Sequence, residues 1–426
     1  MGFASTYLKE RALFPEIFKE APDKSTGIIV VIPAYNEPGI TKVLDSLAIC
    51  SEPRCKAEVI IVVNAPSDAS QESIENNKVT LENIDNWKKK NNNCFFRLFS
   101  FIVGSIPVCG WGVGLARKTG MDEAVRRFNH INNHDGIILN LDADCLVGQN
   151  YFSAVFNEFE GRRDRSACSI YFEHPLSGID FPDNIYKNIA LYELHLRYYF
   201  QGLAFAGFPY VFHTVGSAIA VKALPYIKAG GMNRRQAGED FYFIQKLLPA
   251  GGYFNLNTTT VYPSPRPSFR VPFGTGVTIG KLSEENSQTL LTYDFQAFMD
   301  LSCFFSMPES IYHCRPQDLN QCYKLLPRSL KLFIGENEWT GKMEEIKNNT
   351  SGWQSFTKRF FSWFNMFKVV KFLNFVHLEI FEKRPVGISA LELLENIDIT
   401  FASKDPVELL LYYRGMEKTA FNKKDP

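Results

Sequence analysis

Two short runs of consecutive apolar residues constrain the fold of this chain more than any other feature. Gly27–Ala34 (GIIVVIPA) and Glu58–Val63 (EVIIVV) are rich in β-branched residues and lack the alternation of a half-exposed strand. Such continuous runs are typical of parallel strands that helices cover on both faces. The segment between them, Ile40–Ile49, has the apolar spacing of such a helix. The pattern therefore predicts a layered α/β sheet.

The alternation of strand and helix patterns continues towards the middle of the chain. A strand is predicted at Phe95–Val103, a helix at Val113–Phe128 and another strand at Gly136–Leu141. Asp142 directly follows this last strand. In open α/β sheets, the loops after the carboxyl ends of the strands converge on the ligand. We therefore expect Asp142 and its neighbours to lie in a ligand site.

The sheet domain is expected to be followed by a helical region. From about Lys281, glycines and strand patterns become rare, and Leu, Phe, Glu and Lys recur at helical spacing. The predicted organisation is a lead segment at residues 1–24, an α/β domain at 25–280 and a mainly helical region at 281–426. The 426 residues suffice for one large and one smaller domain.

Charge and cysteine content narrow the class of protein. Lysine plus arginine and aspartate plus glutamate both number 46, so no overall positive charge favours nucleic acid as a partner. The nine cysteines are an odd number without a CxxC pair, which is typical of a reducing compartment. Neither a signal peptide nor an uninterrupted run of about 20 apolar residues is recognisable. We expect a cytoplasmic protein without a transmembrane helix.

Two acidic clusters could carry chemistry. Asp142-Ala143-Asp144 could direct two carboxylates to a ribose or to one divalent cation, for which Mg²⁺ or Mn²⁺ suits hard oxygen ligands. Acidic turns after strands also occur for structural reasons alone. Glu239 and Asp240 begin a predicted helix, where the helix dipole favours acidic side chains. A carboxylate there could equally act as a general base.

Taken in order, these motifs resemble those of the family 2 glycosyltransferases over about Gly27–Gly276. The matching segments are Pro33-Ala34-Tyr35-Asn36-Glu37, Gly112–Gly120, Asp142-Ala143-Asp144, Gly230-Gly231 and Glu239-Asp240. The resemblance implies a GT-A (Rossmann-like) mixed sheet flanked by helices. It also implies transfer of one sugar from a nucleotide-diphosphate-sugar, with a UDP-sugar favoured, to a hydroxyl of a glycan or a lipid-linked acceptor.

The resemblance further implies roles for individual residues. Asp240 would be the general base of an inverting displacement, with Glu239 beside it. Asp142 and Asp144 would bind Mn²⁺ or Mg²⁺, which stabilises the charge that develops on the leaving diphosphate. The residues expected to bind the nucleotide-sugar are Pro33, Ala34, Tyr35, Glu37, Asn64, Arg117, Asp142, Arg266 and Arg270.

The sequence departs from the family pattern at several positions. Asn64 stands where many members carry an acidic residue, although its amide can still hydrogen-bond a base edge. Tyr262 and Ser264 occupy the stretch where a histidine often completes the metal site. The Gln-x-x-Arg-Trp signature of processive synthases is absent, which favours transfer of one sugar at a time.

Several residues keep two interpretations. Arg266 and Arg270 could close over the diphosphate or be solvated loop residues, and Arg117 and Lys118 could likewise face solvent. The basic, aromatic stretch 356–381 could lie on a membrane, which would make a lipid-linked acceptor plausible, or pack its aromatic side chains onto the catalytic domain. A retaining transferase and a catalytically idle nucleotide- or glycan-binding protein remain the alternative functions.

Overall fold

The computed structural model describes residues 2–106, 111–268, 270, 272, 274–285 and 287–420. Within this part, the chain divides into two compact units. The first contains the residues up to Tyr186 together with Thr214–Lys281, and the second contains Lys187–His213 together with Leu282–Thr419. Each unit is therefore built from segments that are separated in sequence.

The first half of the chain alternates strands and helices. In chain order the elements are α1 (Ser5–Arg11), β1 (Thr26–Ala34), α2 (Thr41–Ala48), β2 (Lys56–Pro66), α3 (Gln71–Lys90), β3 (Phe96–Ile106), α4 (Val113–His130), β4 (Ile137–Asn140), β5 (Leu146–Val147), α5 (Tyr151–Phe159), β6 (Ala167–Phe172) and α6 (Asp183–Phe205). Then follow β7 (Ile219–Lys222), α7 (Ala223–Lys228), α8 (Glu239–Leu247), β8 (Tyr253–Tyr262) and α9 (Thr275–Glu284).

Eight of these strands form one mixed sheet in the order β3-β2-β1-β4-β7-β6-β8-β5. Strands β3, β2, β1 and β4 run parallel to one another, and β7 pairs antiparallel with both β4 and β6. All nine residues of β1 are buried, because helices cover both faces of the central strands. The continuous apolar runs of the sequence therefore mark the centre of the sheet.

Helix α4 packs directly on this centre. A Cβ added at Gly120 would lie 2.4 Å from Val31 Cγ1 and 2.9 Å from Val62 Cγ2, so glycine brings the helix backbone close to β1 and β2. Further along the helix, Arg127 Nη2 donates to Glu58 Oε1 at 2.7 Å, and both side chains are buried. A buried charge requires such a partner.

The second unit is mainly helical. It contains most of α6, the short strands β9 (Leu291–Thr292) and β10 (Arg384–Pro385), and the helices α10 (Phe295–Phe305), α11 (Pro308–His313), α12 (Leu319–Leu325), α13 (Arg328–Ile334), α14 (Glu336–Asn348), α15 (Trp353–Trp363), α16 (Met366–Glu379), α17 (Val386–Asn396) and α18 (Pro406–Ala420). Its core is aromatic, as in the contact of Phe304 with Phe364, whose ring centroids are 4.7 Å apart.

The predicted fold class, a mixed sheet flanked by helices with a mainly helical C-terminal region, is confirmed by this topology. The change of character near Lys281 coincides with the end of the first unit. The segment Lys187–His213, which falls inside the predicted domain 25–280, clusters with the second unit.

The stretch 356–381 forms two helices, α15 and α16, because the chain leaves the helical conformation between Trp363 and Met366. Phe356, Phe360 and Phe372 are fully buried and belong to the second unit, whereas the packing interpretation placed them against the catalytic domain. No helix among the described residues is long and apolar enough to cross a membrane.

Candidate active site

The parallel strands bring three of the predicted motifs to one edge of the sheet. Strand β1 pairs in parallel with both β2 and β4, so their carboxyl ends lie side by side. Tyr35 and Glu37 follow β1, Asn64 is near the end of β2, and Asp142 and Asp144 follow β4. The edge at which an open α/β sheet binds ligands therefore carries one aromatic, one amide and three acidic side chains.

Arg117 joins the two acidic motifs. Its Nη2 donates to Asp142 Oδ1 at 2.5 Å, and its Nη1 donates to Glu239. Burial alone would lower the pKa of Arg117, but the nearby carboxylates raise it, so the group stays charged. Contrary to the solvent-facing alternative, only 4% of this side chain is exposed. A Cβ at Gly216 would lie 2.3 Å from Arg117 Nη1, so glycine is required there for space.

The carboxylates at the start of α8 have raised pKa values. Burial raises the pKa of Glu239 to about 7, against the opposing effect of Arg117, and the adjacent Asp240 raises it further. Burial also raises the pKa of Asp240. Asp240 Oδ1 accepts a hydrogen bond from the Phe241 backbone at 2.7 Å. A carboxylate whose pKa is raised towards neutrality is a stronger base than an exposed one.

Two arginines from the loop after β8 contact the acidic residues that follow β1 and β4. Arg266 Nη2 donates to Asp144 Oδ2 at 3.0 Å and also to Glu37. Arg270 Nη1 donates to Glu37 Oε1 at 2.5 Å and to the carbonyl of Tyr35 at 2.7 Å. Burial and the neighbouring Glu37 raise the pKa of Asp144 to about 6, and Arg266 opposes the shift. Both arginines are thus held at the sheet edge.

An aromatic pair lies beside these groups. The rings of Tyr35 and Trp111 meet edge to face with centroids 4.9 Å apart. The indole N–H of Trp111 is buried and has no hydrogen-bond partner in the part of the chain that the structure describes. Asn64, predicted to face a base, donates from Nδ2 to the carbonyl of Gly112 at 3.3 Å. Trp111 was not among the predicted site residues, because a single tryptophan carries no motif.

The turn after β1 is held by asparagines. Asn36 has a φ of 56°, which asparagine tolerates better than most residues. Its backbone N–H donates to Asn77 Oδ1 at 2.9 Å, and its Oδ1 accepts from Asn76 Nδ2 at 2.6 Å. These contacts from α3 fix the direction in which Tyr35 and Glu37 leave the strand. Their signal in the sequence is weak, since asparagines are common in surface helices.

The glycines at the start of α4 let another loop approach. A Cβ at Gly114 would lie 2.4 Å from the carbonyl oxygen of Arg235, and one at Gly112 would lie 2.8 Å from the Cα of Gln236. The loop that they contact leads into Glu239. The glycine-rich segment thus helps to position the second acidic motif.

The remaining predicted residues have mixed surroundings. Pro33 and Ala34 are the buried last residues of β1, so their contribution to a ligand site is limited to shaping its floor. Lys118 is buried and bound to Asp122 at 2.9 Å, contrary to the solvent-facing alternative. His213, in the second unit, was not among the predicted site residues and packs on Phe200 with ring centroids 4.4 Å apart.

The donor set fits a divalent cation only in part. Asp142 and Asp144 offer carboxylate oxygens, but each is bound by a guanidinium group. Among the described residues, no group of three or more His, Cys, Asp or Glu side chains could hold a metal ion. Mg²⁺ often takes one or two carboxylates and completes its coordination with water and substrate phosphates. The site therefore fits a cation that arrives with a diphosphate.

Comparison with known proteins gives distant structural similarities. No protein-family model matches the chain, and no characterised protein is significantly similar in sequence. Residues 1–349 of TarS from S. aureus, in complex with UDP-GlcNAc, are 13% identical, with coverage of 79% of this chain and 91% of that chain and a TM-score of 0.39. The mannosyltransferase PcManGT from Pyrobaculum calidifontis, in complex with GDP-Man and Mn²⁺, is 14% identical, with coverages of 99% and 93% and a TM-score of 0.39.

A third solved structure is similar over a shorter part of the chain. Glucosyl-3-phosphoglycerate synthase from Mycobacterium tuberculosis, with Mn²⁺, UDP and glucosyl-3-phosphoglycerate, is 13% identical, with coverages of 65% and 78% and a TM-score of 0.34.

Proposed function

We propose that the first unit is a glycosyltransferase that transfers one sugar from a nucleotide-diphosphate-sugar to an acceptor hydroxyl with inversion. The observation that carries the proposal is the bridge made by Arg117 between Asp142, at the carboxyl edge of the sheet, and Glu239, next to Asp240. The carboxylate proposed to bind the sugar donor and the one proposed to act on the acceptor hydroxyl would thereby belong to one site. A UDP-sugar is the favoured donor, and a glycan or a lipid-linked molecule is the proposed acceptor.

Donor binding would use the aromatic pair and the two loop arginines. Tyr35 and Trp111 offer flat apolar surface to a nucleobase. Arg266 and Arg270 present guanidinium forks that suit phosphate oxygens, and they would exchange Glu37 or Asp144 for the diphosphate. Because the diphosphate would compete with these carboxylates for the two arginines, we expect donor binding to depend on the negative charge of the ligand.

The chemical step needs charge stabilisation on one side of the sugar and a base on the other. A Mn²⁺ or Mg²⁺ ion bound with Asp144 and Asp142 would supply the first by neutralising charge on the leaving diphosphate. Asp240 would take the proton from the acceptor hydroxyl, and its raised pKa suits that role. Arg117 binds Glu239 and holds its side chain in place. The transfer reaction would then need one protein base and no protein acid.

The test combines nucleotide binding with turnover. We expect UDP to raise the melting temperature more with Mn²⁺ than without it, because binding to the folded state stabilises it. We expect Asp240→Asn to bind UDP as the wild type does but to lose release of UDP from a UDP-sugar by at least about a hundredfold, the scale of general-base catalysis. Asp144→Ala should lose both turnover and the metal-dependent part of the shift.

Exposed Asp164, changed to Asn, serves as the matched control and should behave as the wild type. Full activity in Asp240→Asn or in Asp144→Ala would refute the assignment. Nucleotide binding by the wild type without transfer or donor hydrolysis would identify a catalytically idle nucleotide-binding protein. This is the second candidate function, because arginines bind both Asp142 and Asp144. The anomeric configuration of the product separates inversion from retention.

A further inference from the structure

Four cationic side chains from four separate parts of the first unit lie near one another outside the candidate active site. They are Arg11 at the end of α1, Lys118 in α4, Arg235 in the loop before α8, and Lys246 near the end of α8. We call this set the basic cluster. None of its members has a role in the transfer reaction proposed above.

Contacts through Gly231 and Tyr7 connect two of the four. Lys246 Nζ lies 3.5 Å from the carbonyl oxygen of Gly231. Gly231, with a φ of 75°, lies so close to Tyr7 that an added Cβ would be 1.9 Å from the tyrosine hydroxyl. That hydroxyl accepts a hydrogen bond from Lys118 Nζ at 3.2 Å. Lys246 therefore binds the residue that lies against the Tyr7 hydroxyl, and Lys118 binds that same hydroxyl.

Helical spacing places the two arginines next to them. Arg11 follows Tyr7 by four residues in α1, so both side chains lie on one face of that helix. The guanidinium of Arg235 lies 3.7 Å from the ring centroid of Tyr242, which precedes Lys246 by four residues in α8. Arg11 is thus one helical turn from the tyrosine that binds Lys118, and Arg235 lies over a ring that is one helical turn from Lys246.

The charge of the basic cluster is poorly compensated. Lys118 is paired with Asp122 at 2.9 Å. In the described part of the chain, Arg11, Arg235 and Lys246 form no ion pair with a carboxylate. Burial and the charges of Lys118, Arg11 and Arg235 lower the pKa of Lys246. Like charges held together in this way repel one another, and an anion bound between them would relieve that repulsion.

We propose that the basic cluster binds a phosphate group carried by the acceptor. The identification of the ligand as the acceptor rests on the proposed transferase function, whereas the anion site itself does not. Asp240 and Lys246 stand six residues apart in α8, about 9 Å along the helix axis and about 120° apart around it at 1.5 Å rise and 3.6 residues per turn, so an acceptor that reaches both must also pass around the helix. An acceptor bound at both places would carry its phosphate several bonds from the hydroxyl that receives the sugar. Exposed Arg235 and Lys246 keep this site open to solvent.

The first experiment titrates the purified full chain with glycerol 3-phosphate at constant ionic strength and follows the melting temperature. We expect saturable stabilisation of the wild type, since only a ligand of the folded state raises it. Lys246→Gln and Arg235→Gln should each weaken the apparent affinity about tenfold, which corresponds to about 1.4 kcal/mol for one charge-assisted hydrogen bond. The exposed Lys89→Gln in the last turn of α3 is the matched control and should titrate as the wild type does.

A second arm distinguishes a soluble phosphate from one on a lipid. Vesicles of phosphatidylglycerol and of phosphatidylcholine are sedimented with the same variants. Binding only to the anionic vesicles, and its loss in Lys246→Gln, would assign the phosphate to a lipid-linked acceptor. Stabilisation by glycerol 3-phosphate without vesicle binding would assign it to a soluble acceptor.

The proposal is overturned if neither probe binds the wild type, or if Lys246→Gln and Lys89→Gln respond alike. Phosphate binding at the active-site arginines is tested by repeating the glycerol 3-phosphate titration at saturating UDP, which should leave the further stabilisation of the wild type unchanged. Loss of that stabilisation would place the phosphate at the active-site arginines and overturn the proposal. UDP binding is measured on the same samples. A lost UDP response with an intact phosphate response would refute the transferase proposal alone, and the reverse result would refute only the basic cluster as an anion site.

Discussion

A single guanidinium group, that of Arg117, restrains both acidic motifs. Because it binds Asp142 and Glu239 together, a displacement of either carboxylate changes the electrostatic surroundings of the other. Lysine could not replace it, since an ammonium group lacks the planar fork that reaches two carboxylates from a buried position. The spacing between the two ends of the proposed active site is thus set by one side chain.

The raised pKa values in α8 give a pH prediction at the residue scale. The proposed base Asp240 works only when it is ionised, so activity must fall as the pH falls through its raised pKa. Glu239 beside it titrates near pH 7. We therefore expect kcat/KM for donor turnover to decline, as the pH falls, already above the pKa of a free aspartate carboxyl group. Initial rates between pH 5 and 9 measure this profile, and constant activity down to pH 5 would contradict it.

The carboxylates of the site could be predicted from sequence, whereas their partners could not. Asp142 and Asp144 are recognisable because they follow a buried strand at short spacing. The partnership of Arg117 with Glu239 joins residues far apart in the chain, and side-chain type alone gives no distance between them. The same holds for Arg266 and Asp144, so the two interpretations of each arginine could be separated only by geometry.

At the scale of elements, α4 depends on glycine for its contact with the sheet. Gly120→Ala would force a Cβ against Val31 and Val62, and we expect a loss of about 1–3 kcal/mol in the free energy of unfolding, as for other overpacked cores. Gly341→Ala in α14 meets nothing within 4 Å and should gain about 0.5–1 kcal/mol from helix propensity. Urea unfolding of both variants measures the two signs, and equal effects would contradict the packing argument.

Most elements of the sheet were predictable because burial on both faces leaves a strong pattern. The predicted strand Gly27–Ala34 is observed as Thr26–Ala34, and the predicted helix Val113–Phe128 is observed as Val113–His130. The stretch 356–381 was less predictable, since aromatic and basic residues recur through both of its helices. The break between α15 and α16 has only Asn365 as a local signal, whose side chain caps the second helix by accepting from Lys368 N–H.

At the scale of the whole molecule, a buried ionic network ties the segments of the second unit together. Glu193 in α6 accepts hydrogen bonds from Arg197 in the same helix and from Arg414 in α18, the latter at 2.7 Å. Glu193→Ala would leave buried arginines without this partner, and we expect a loss of about 3–5 kcal/mol. Exposed Glu408→Ala in α18 is the control and should change stability by less than about 0.5 kcal/mol. Urea midpoints measure both, and equal midpoints would show that the network contributes little.

The division into units was only partly accessible to sequence. The onset of helical spacing near Lys281 is a change in local composition. The membership of Lys187–His213 in the second unit depends on partners that lie in the last part of the chain, such as Arg414. A boundary drawn from composition therefore cannot find it.

The interrupted course of the second unit has a consequence for biosynthesis. A ribosome completes α6 before it has made any of the helices that surround this segment in the second unit. In the nascent chain, the face of α6 that is buried in the folded protein stays exposed while Thr214–Lys281 is synthesised. During that interval its apolar surface can bind chaperones or aggregate. In a fragment that stops at Lys281, this apolar face of α6 would stay exposed permanently.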